Sequence, residues 1–187
     1  MSALPVPSQA PFSIEAERAS DVFAREFLLD CAMGLNRKRK SSEKLRRGRL
    51  PADGLSLVAR DADGALVGTV RLWHVRCGEN GPAALLLGPL AVDPSLKGAG
   101  VGSALMRQAL AEAQARGHKA VLLVGDASYY ARFGFSAEKT GNLAMPGPYE
   151  RERFLAVEFE QGVLDAARGT LLAAGRKVRL DALRLAA

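Results

Sequence analysis

The stretch from Asp93 to Ser103, Asp-Pro-Ser-Leu-Lys-Gly-Ala-Gly-Val-Gly-Ser, constrains the fold of this chain more than any other. It lies between an apolar run, Ala83 to Val92, and a segment in which Val101, Leu105 and Ala109, with Met106, Leu110 and Ala113, make one apolar helix face ending at Gly117. Ala120 to Val124 follows as a short buried strand. Strand, helix and strand form a βαβ unit, whose crossover is right-handed. The glycines let the backbone come close to a ligand, and the free N–H groups of the first helical turn face outward with the positive end of the helix dipole behind them. That is a seat for a diphosphate, although a tight turn into a helix needs glycine for steric reasons alone. The Walker pattern fails, because Gly102 is followed by Ser103 and Ala104. The dinucleotide fingerprint also fails: Ser103 stands where its third glycine belongs, and Asp93 to Lys97 separate the turn from the strand.

Elsewhere the pattern is that of a mixed α/β chain. Ser20 caps a helix read over 20–33, in which Phe23, Phe27 and Cys31 recur every four residues and Gly34 ends the run. A short second helix is expected near 41–48. Leu55 to Arg60 and Leu66 to Val75 flank the turn Asp61-Ala62-Asp63-Gly64 as an antiparallel hairpin. Gly88-Pro89 interrupts the third strand; proline cannot donate to a ladder and glycine marks a bulge, so pairing is expected to break partway along. A brief helix over 127–133 and a final strand over 153–159 complete the order, with no repeat or domain linker.

At 187 residues, 48% hydrophobic and 25% charged, with a mean hydropathy of +0.00, the chain has the composition of one soluble globular domain. Disordered, collagen-like and membrane-spanning classes are excluded. The opening MSALPVPSQAP has no basic region before an apolar core, so it is read as a loose arm over 1–10 rather than a secretory signal. Cys31 and Cys77 are too few for a disulfide framework and lack the spacing of a zinc site, which points to the cytoplasm and to no metal. The net charge of +6 is local: residues 37–49 hold eight cations against Glu43, and the rest of the chain is close to neutral. Such a patch attracts anions of any origin. No aromatic residue within 37–49 can stack on bases, which weighs against nucleic acid, and no membrane partner is expected.

Leu90 to Met106, LAVDPSLKGAGVGSALM, resembles the acetyl-CoA-binding motif of the GNAT N-acetyltransferase superfamily, R/Q-x-x-G-x-G/A, with Lys97, Gly100 and Gly102 at its marked positions. Tyr130-Ala131-Arg132-Phe133-Gly134-Phe135 is similar to that family's Y-x-x-x-G-F segment after the next strand. The resemblance spans Phe12 to Phe159, looks closest to bacterial predicted acetyltransferases, and departs from the motif where Lys97 replaces Arg or Gln. It implies an acyl-CoA N-acyltransferase fold: a mixed central sheet with a splayed strand pair, flanked by helices. That domain would cover 11–160, with 161–187 as an extension packed on it or partly flexible. Acetyl-CoA is the implied co-substrate. The backbone of Leu90, Ala91 and Val92 would pair with the pantetheine arm, while Lys97, Gly98, Ala99, Gly100, Val101, Gly102 and Ser103 would cradle the diphosphate.

By the same resemblance Tyr130 would protonate the departing thiolate; packing with Phe133 and Phe135 is the competing role, and Tyr129 is the second candidate. Asp126 and His74 are the visible candidates for the base, but Asp126 also suits a helix cap and His74 a structural position, leaving a water chain as a further route. The expected activity is direct acetyl transfer to a small-molecule or peptide amine, by a monomer or homodimer. A silent CoA-binding sensor, and a nucleic-acid-associated protein using 37–49, are the rival readings.

Overall fold

In the computed structural model, which describes residues 12–178, the two-residue alternation of the strands decides how the layers form. The expected arm over 1–10 lies outside the described residues. The described part opens with β1 (Phe12–Ala16), passes through a short 3-10 turn into α1 (Val22–Met33), and continues through a second 3-10 turn (Leu35–Arg39) into α2 (Glu43–Arg46). An antiparallel meander follows, β2 (Ser56–Asp61), β3 (Leu66–Cys77) and β4 (Ala83–Val92). Then α3 (Val101–Ala115) crosses to β5 (Ala120–Val124), which pairs parallel with β4. α4 (Ala127–Tyr130), β6 (Leu143–Ala144), β7 (Phe154–Glu158) and β8 (Gly169–Ala173) complete the order.

The sheet runs β1-β2-β3-β4-β5-β7, with β8 added to β3 and to β6. Leu85, Leu87, Val121, Leu123 and Leu155 point to the side where α3 buries Val101, Leu105, Met106 and Ala109. Their neighbours Ala84, Leu86, Ala120, Leu122 and Phe154 point to the other side, against Leu143, Leu164 and Leu171. Both faces are covered, which is why β4 and β5 read as continuous apolar runs rather than alternating ones.

Pairing between β4 and β5 covers only Leu85 with Val121 and Leu86 with Leu122. Beyond those residues the strands part, at Gly88–Pro89, whose peptide bond is cis. The β3–β4 register slips at the same place, between Val70 opposite Leu90 and Leu72 opposite Leu87. The splayed pair of the mixed α/β acyltransferase fold is therefore present, and its opening faces the glycine turn.

Four elements differ from expectation. Phe23, Phe27 and Cys31 mark the outer face of α1, with Phe23 89% and Phe27 73% exposed; Arg25, Leu28 and Leu29 turn inward instead. The four-residue repeat was real, but a buried arginine took the core side because Glu17 pairs with it there. β1, β6 and β8 form in segments whose pattern does not mark a strand. In β8, Leu171 is fully packed and the strand continues the β3 edge at Val75–Cys77, past the end of β2. Just after β8, the chain holds residues 48–50: the Leu50 N–H donates to the Arg176 carbonyl at 2.8 Å and the Val178 N–H to the Gly48 carbonyl at 2.9 Å.

Candidate active site

Gly100 caps α3 in the left-handed conformation, φ +83°, a position that favours glycine. The Ala104 N–H is the first to close a helical bond, onto the Gly100 carbonyl at 2.9 Å, so the N–H groups of Val101, Gly102 and Ser103 face out of the helix end. A Cβ built at Gly98 or Gly100 would meet no atom within 4 Å, so the space in front of the turn is open. Gly102 is different: a Cβ there would stand 3.1 Å from the Tyr129 hydroxyl and 3.4 Å from Val92. Lys97 is exposed beside the turn, and Asp93 is a turn residue whose carboxylate accepts from the Ser95 N–H and hydroxyl. The cradle thus fits an anionic group bound by main-chain donors, and Tyr129 forms one of its walls.

The slot beside β4 follows from hydrogen-bond alternation. The Asp93 N–H bonds to the Val67 carbonyl on β3 at 2.8 Å, so the N–H groups of Leu90 and Val92, three and one residues away, face the opposite edge. Among the described residues that edge has no strand partner beyond Leu86. A cavity of about 90 Å³ opens there, lined by Leu87, Pro89, Leu90, Leu123, Val124 and Tyr130. The Tyr130 ring lies on Gly125, where a Cβ would come within 2.2 Å of it, and makes an edge contact with Phe135 at 5.9 Å. Burial, with a lesser effect from Tyr129, pushes the Tyr130 phenol up to about 12. It therefore stays protonated at neutral pH. Tyr130 both packs and lines the slot, so the two roles weighed for it are compatible.

Neither base candidate stands free at this slot. The Asp126 carboxylate accepts from the Tyr129 N–H and the Ser128 hydroxyl; these bonds hold its pKa down and spend it as the cap of α4. His74 sits opposite Leu85, toward the start of β4, and stacks near His118 with ring centroids 5.4 Å apart.

On the other side of the break lies a second cavity of about 280 Å³, walled by α1, α2 and their connection. The basic segment divides here: Lys38, Arg39, Lys40, Lys44 and Arg47 stay exposed, whereas Arg37 and Arg46 turn inward. Arg37 is buried and donates to Asp30 at 2.7 Å and Glu26 at 2.6 Å, and Arg46 donates to Glu43 at 2.8 Å. Burial opposes ionisation of Glu26, but hydrogen bonds from Arg37 and Arg25 outweigh it and hold the carboxyl at about 2. Glu17 sits between Arg25 and Arg71. Arg46 and Pro89 line both cavities, so the two adjoin at the strand break. The Trp73 indole fixes the break from this side by donating to the Gly88 carbonyl at 2.6 Å.

Arg46, Trp73 and Gly125 were not singled out from the sequence. The available signal was weak for each: one cation among eight, the only tryptophan on a strand facing Gly88-Pro89, and a glycine five residues before Tyr130. Among the described residues no group of three His, Cys, Asp or Glu gathers as for a metal ion, and no helix is long and apolar enough to cross a membrane.

The profile of the acetyltransferase (GNAT) domain family matches residues 52–137. The chain is 37% identical over 97 residues to YjhQ of Escherichia coli K12, an uncharacterized N-acetyltransferase; the match covers 51% of this chain and 52% of YjhQ, about half of each. The crystal structure of the GNAT family N-acetyltransferase YhbS from Escherichia coli in complex with CoA superposes with a TM-score of 0.75 at 26% identity, covering 93% of this chain and 94% of that one. A GNAT family acetyltransferase from Brucella melitensis in complex with acetyl-CoA gives 0.67, also at 26% identity, over 89% and 97%.

Proposed function

The chain belongs to the GNAT superfamily, and we propose that it transfers an acetyl group directly from acetyl-CoA to an amine. One observation carries this reading: the sheet opens between β4 and β5 directly beneath a helix end whose N–H groups face outward, with a protonated tyrosine on the slot wall. Both structural neighbours hold CoA or acetyl-CoA, which supports the same assignment.

Acetyl-CoA supplies the acetyl thioester. Main-chain N–H groups of Gly98 and of residues 100–103 hold its diphosphate, the Ala99 N–H being spent on the Leu96 carbonyl, with Lys97 adding charge at the edge and Tyr129 bounding the cradle. The outward N–H of Val92 pairs with the pantetheine arm as a neighbouring strand would, that of Leu90 is left for the acetyl carbonyl, and Ala91 between them bonds back to β3. As the amine nitrogen bonds to the carbonyl carbon, negative charge grows on the carbonyl oxygen, and the Leu90 N–H stabilises it. The C–S bond then breaks and the Tyr130 hydroxyl gives its proton to the thiolate sulfur. The proton lost by the amine leaves through water in the open cavity, because Asp126, Glu26 and Glu43 are each engaged in other bonds. That shortage of a free base also favours a second reading, a CoA-binding sensor without transfer. Sustained, amine-dependent release of CoA thiol excludes it.

The test is Tyr130→Phe. Turnover should fall about a hundredfold or more, the usual contribution of a positioned general acid, while the dissociation constant for CoA stays within about twofold. Equal loss of both would remove the acid role.

A further inference from the structure

Resting on that transferase reading, we propose that the acceptor is an amine that also carries an oxyanion, a carboxylate or a phosphate, and that Arg46, Arg47 and Arg71 bind this group in the larger cavity. The charge balance of the cavity is the first reason. Arg25, Arg37, Lys38, Arg46, Arg47 and Arg71 line it, and the acids within reach are Glu26 and Glu43 on its wall with Glu17 and Asp30 behind. Six cations against four acids leave two positive charges uncompensated in a concave, partly desolvated space. A purely cationic acceptor such as a diamine would be repelled there, whereas an amine with its own negative group would complete the balance.

Unused donors are the second reason. Arg25 spends its donors on Glu17 and Glu26. Arg46 uses only Nε, on Glu43, and its two terminal nitrogens have no partner among the described residues although the side chain is 11% exposed. Arg71 likewise leaves Nη1 without a partner, with the side chain 18% exposed. Among the described residues Arg47 has no carboxylate partner and reaches only the Lys38 carbonyl, at 3.3 Å. Guanidinium groups with free N–H pairs in one cavity match the planar, two-oxygen face of a carboxylate or phosphate.

Placement is the third. Arg46 lines both cavities, and its Nη1 lies 3.8 Å from where a Cβ would stand at Gly88. An oxyanion seated on Arg46, Arg47 and Arg71 therefore leaves the amine end of a small molecule directed at the strand break, where the thioester would lie. Trp73 forms an apolar wall between these groups, held by its bond to Gly88.

The experiment uses matched amines that differ only in the oxyanion: ethanolamine against O-phosphoethanolamine, and phenethylamine against phenylalanine. Release of CoA thiol from acetyl-CoA is read as kcat/KM, and thermal stabilisation by each amine alone is read in parallel. The anionic member of at least one pair should exceed its neutral partner about tenfold, the size of one charge-assisted contact. The preference should shrink with added salt and in Arg47→Gln, a variant of an exposed residue without a carboxylate partner. Which pair shows the larger ratio identifies carboxylate or phosphate. Neutral amines equal to or better than their anionic partners in both readouts would overturn the proposal, as would a preference that survives in an Arg46→Gln, Arg47→Gln double variant. CoA binding is measured separately by the same stabilisation. If CoA fails to bind, the transferase reading falls, and the amine-alone arm still decides whether the cavity selects oxyanions.

Discussion

Toward α3, the break in β4 faces main-chain groups: the N–H groups that open the helix and the outward edge of Leu90 to Val92. Toward α1 and α2 it faces side chains, a lattice of arginines tied by Glu17, Glu26, Asp30 and Glu43. The first side is made by fold geometry and tolerates almost any side chain that points away, while at Gly102 anything larger than a methyl group would crowd the Tyr129 hydroxyl. The second is made by charge carried on side chains, so its binding chemistry changes with the side chains themselves. A scaffold divided in this way can keep its acyl donor while its acceptor changes, because binding chemistry carried by side chains varies more freely than chemistry carried by the main chain.

Substitutions that touch one side alone sharpen this contrast, and one that damages both sides would break it. Gly102→Val should have the largest effect. Its side chain would press on the Tyr129 hydroxyl and occupy the cradle, raising the dissociation constant for CoA about a hundredfold, roughly 3 kcal/mol. Titration calorimetry measures this, and binding within about threefold of the parent would show that the diphosphate lies elsewhere. Gly100→Val would act differently: a Cβ there meets no neighbour, and the cost comes from holding a β-branched residue at φ +83°. On the acceptor side, Glu17→Gln should destabilise the fold by about 2 kcal/mol, because two mostly buried guanidinium groups lose a shared charge. Glu17 is 5% exposed, so water cannot make up the loss. Urea unfolding reads the change, and CoA affinity of the folded variant should stay at the parent value.

Most of the main-chain side was legible in the sequence, since glycine spacing, the Gly88-Pro89 interruption and apolar runs report directly on backbone path. The helices and five central strands followed from periodicity for the same reason. The charged side was not legible. Residues 37–49 gave a composition, but whether Arg37 turns inward onto Glu26 or outward to water depends on partners from another element, which the local pattern does not contain. The same holds for β8: Leu171 and Leu172 resemble any apolar pair until β3 is found to extend past β2 and offer them an edge. Phe23 and Phe27 misled by periodicity alone, because a helix seated on a carboxylate buries arginine on the face that apolar spacing would assign to phenylalanine.

The smallest predicted effect sets the two sides at opposite ends of the pH scale. Tyr130, with its phenol pushed up to about 12, keeps its proton in the folded protein between pH 10 and 12 while the unfolded chain loses it. The folded state then binds more protons, so stability falls as pH rises through that window. Buried Cys77, raised to about 11, contributes the same sign from about pH 9 to 11. Glu26, held at about 2, works the other way: below about pH 4.5 the unfolded chain takes up a proton that the folded protein refuses, so stability falls as pH falls. Asp93, Asp126 and Glu158, also lowered, add to that acid limb, so Glu26→Gln should flatten it only in part. Tyr130→Phe should flatten the alkaline limb above pH 10 only in part, because Cys77 and Lys139 remain, and should leave the acid limb untouched. Melting temperatures from pH 2.5 to 11.5 for the parent and both variants decide the matter. If Tyr130→Phe altered the acid limb, the two cavities would share one electrostatic network, and the separation of a main-chain donor side from a side-chain acceptor side would fail.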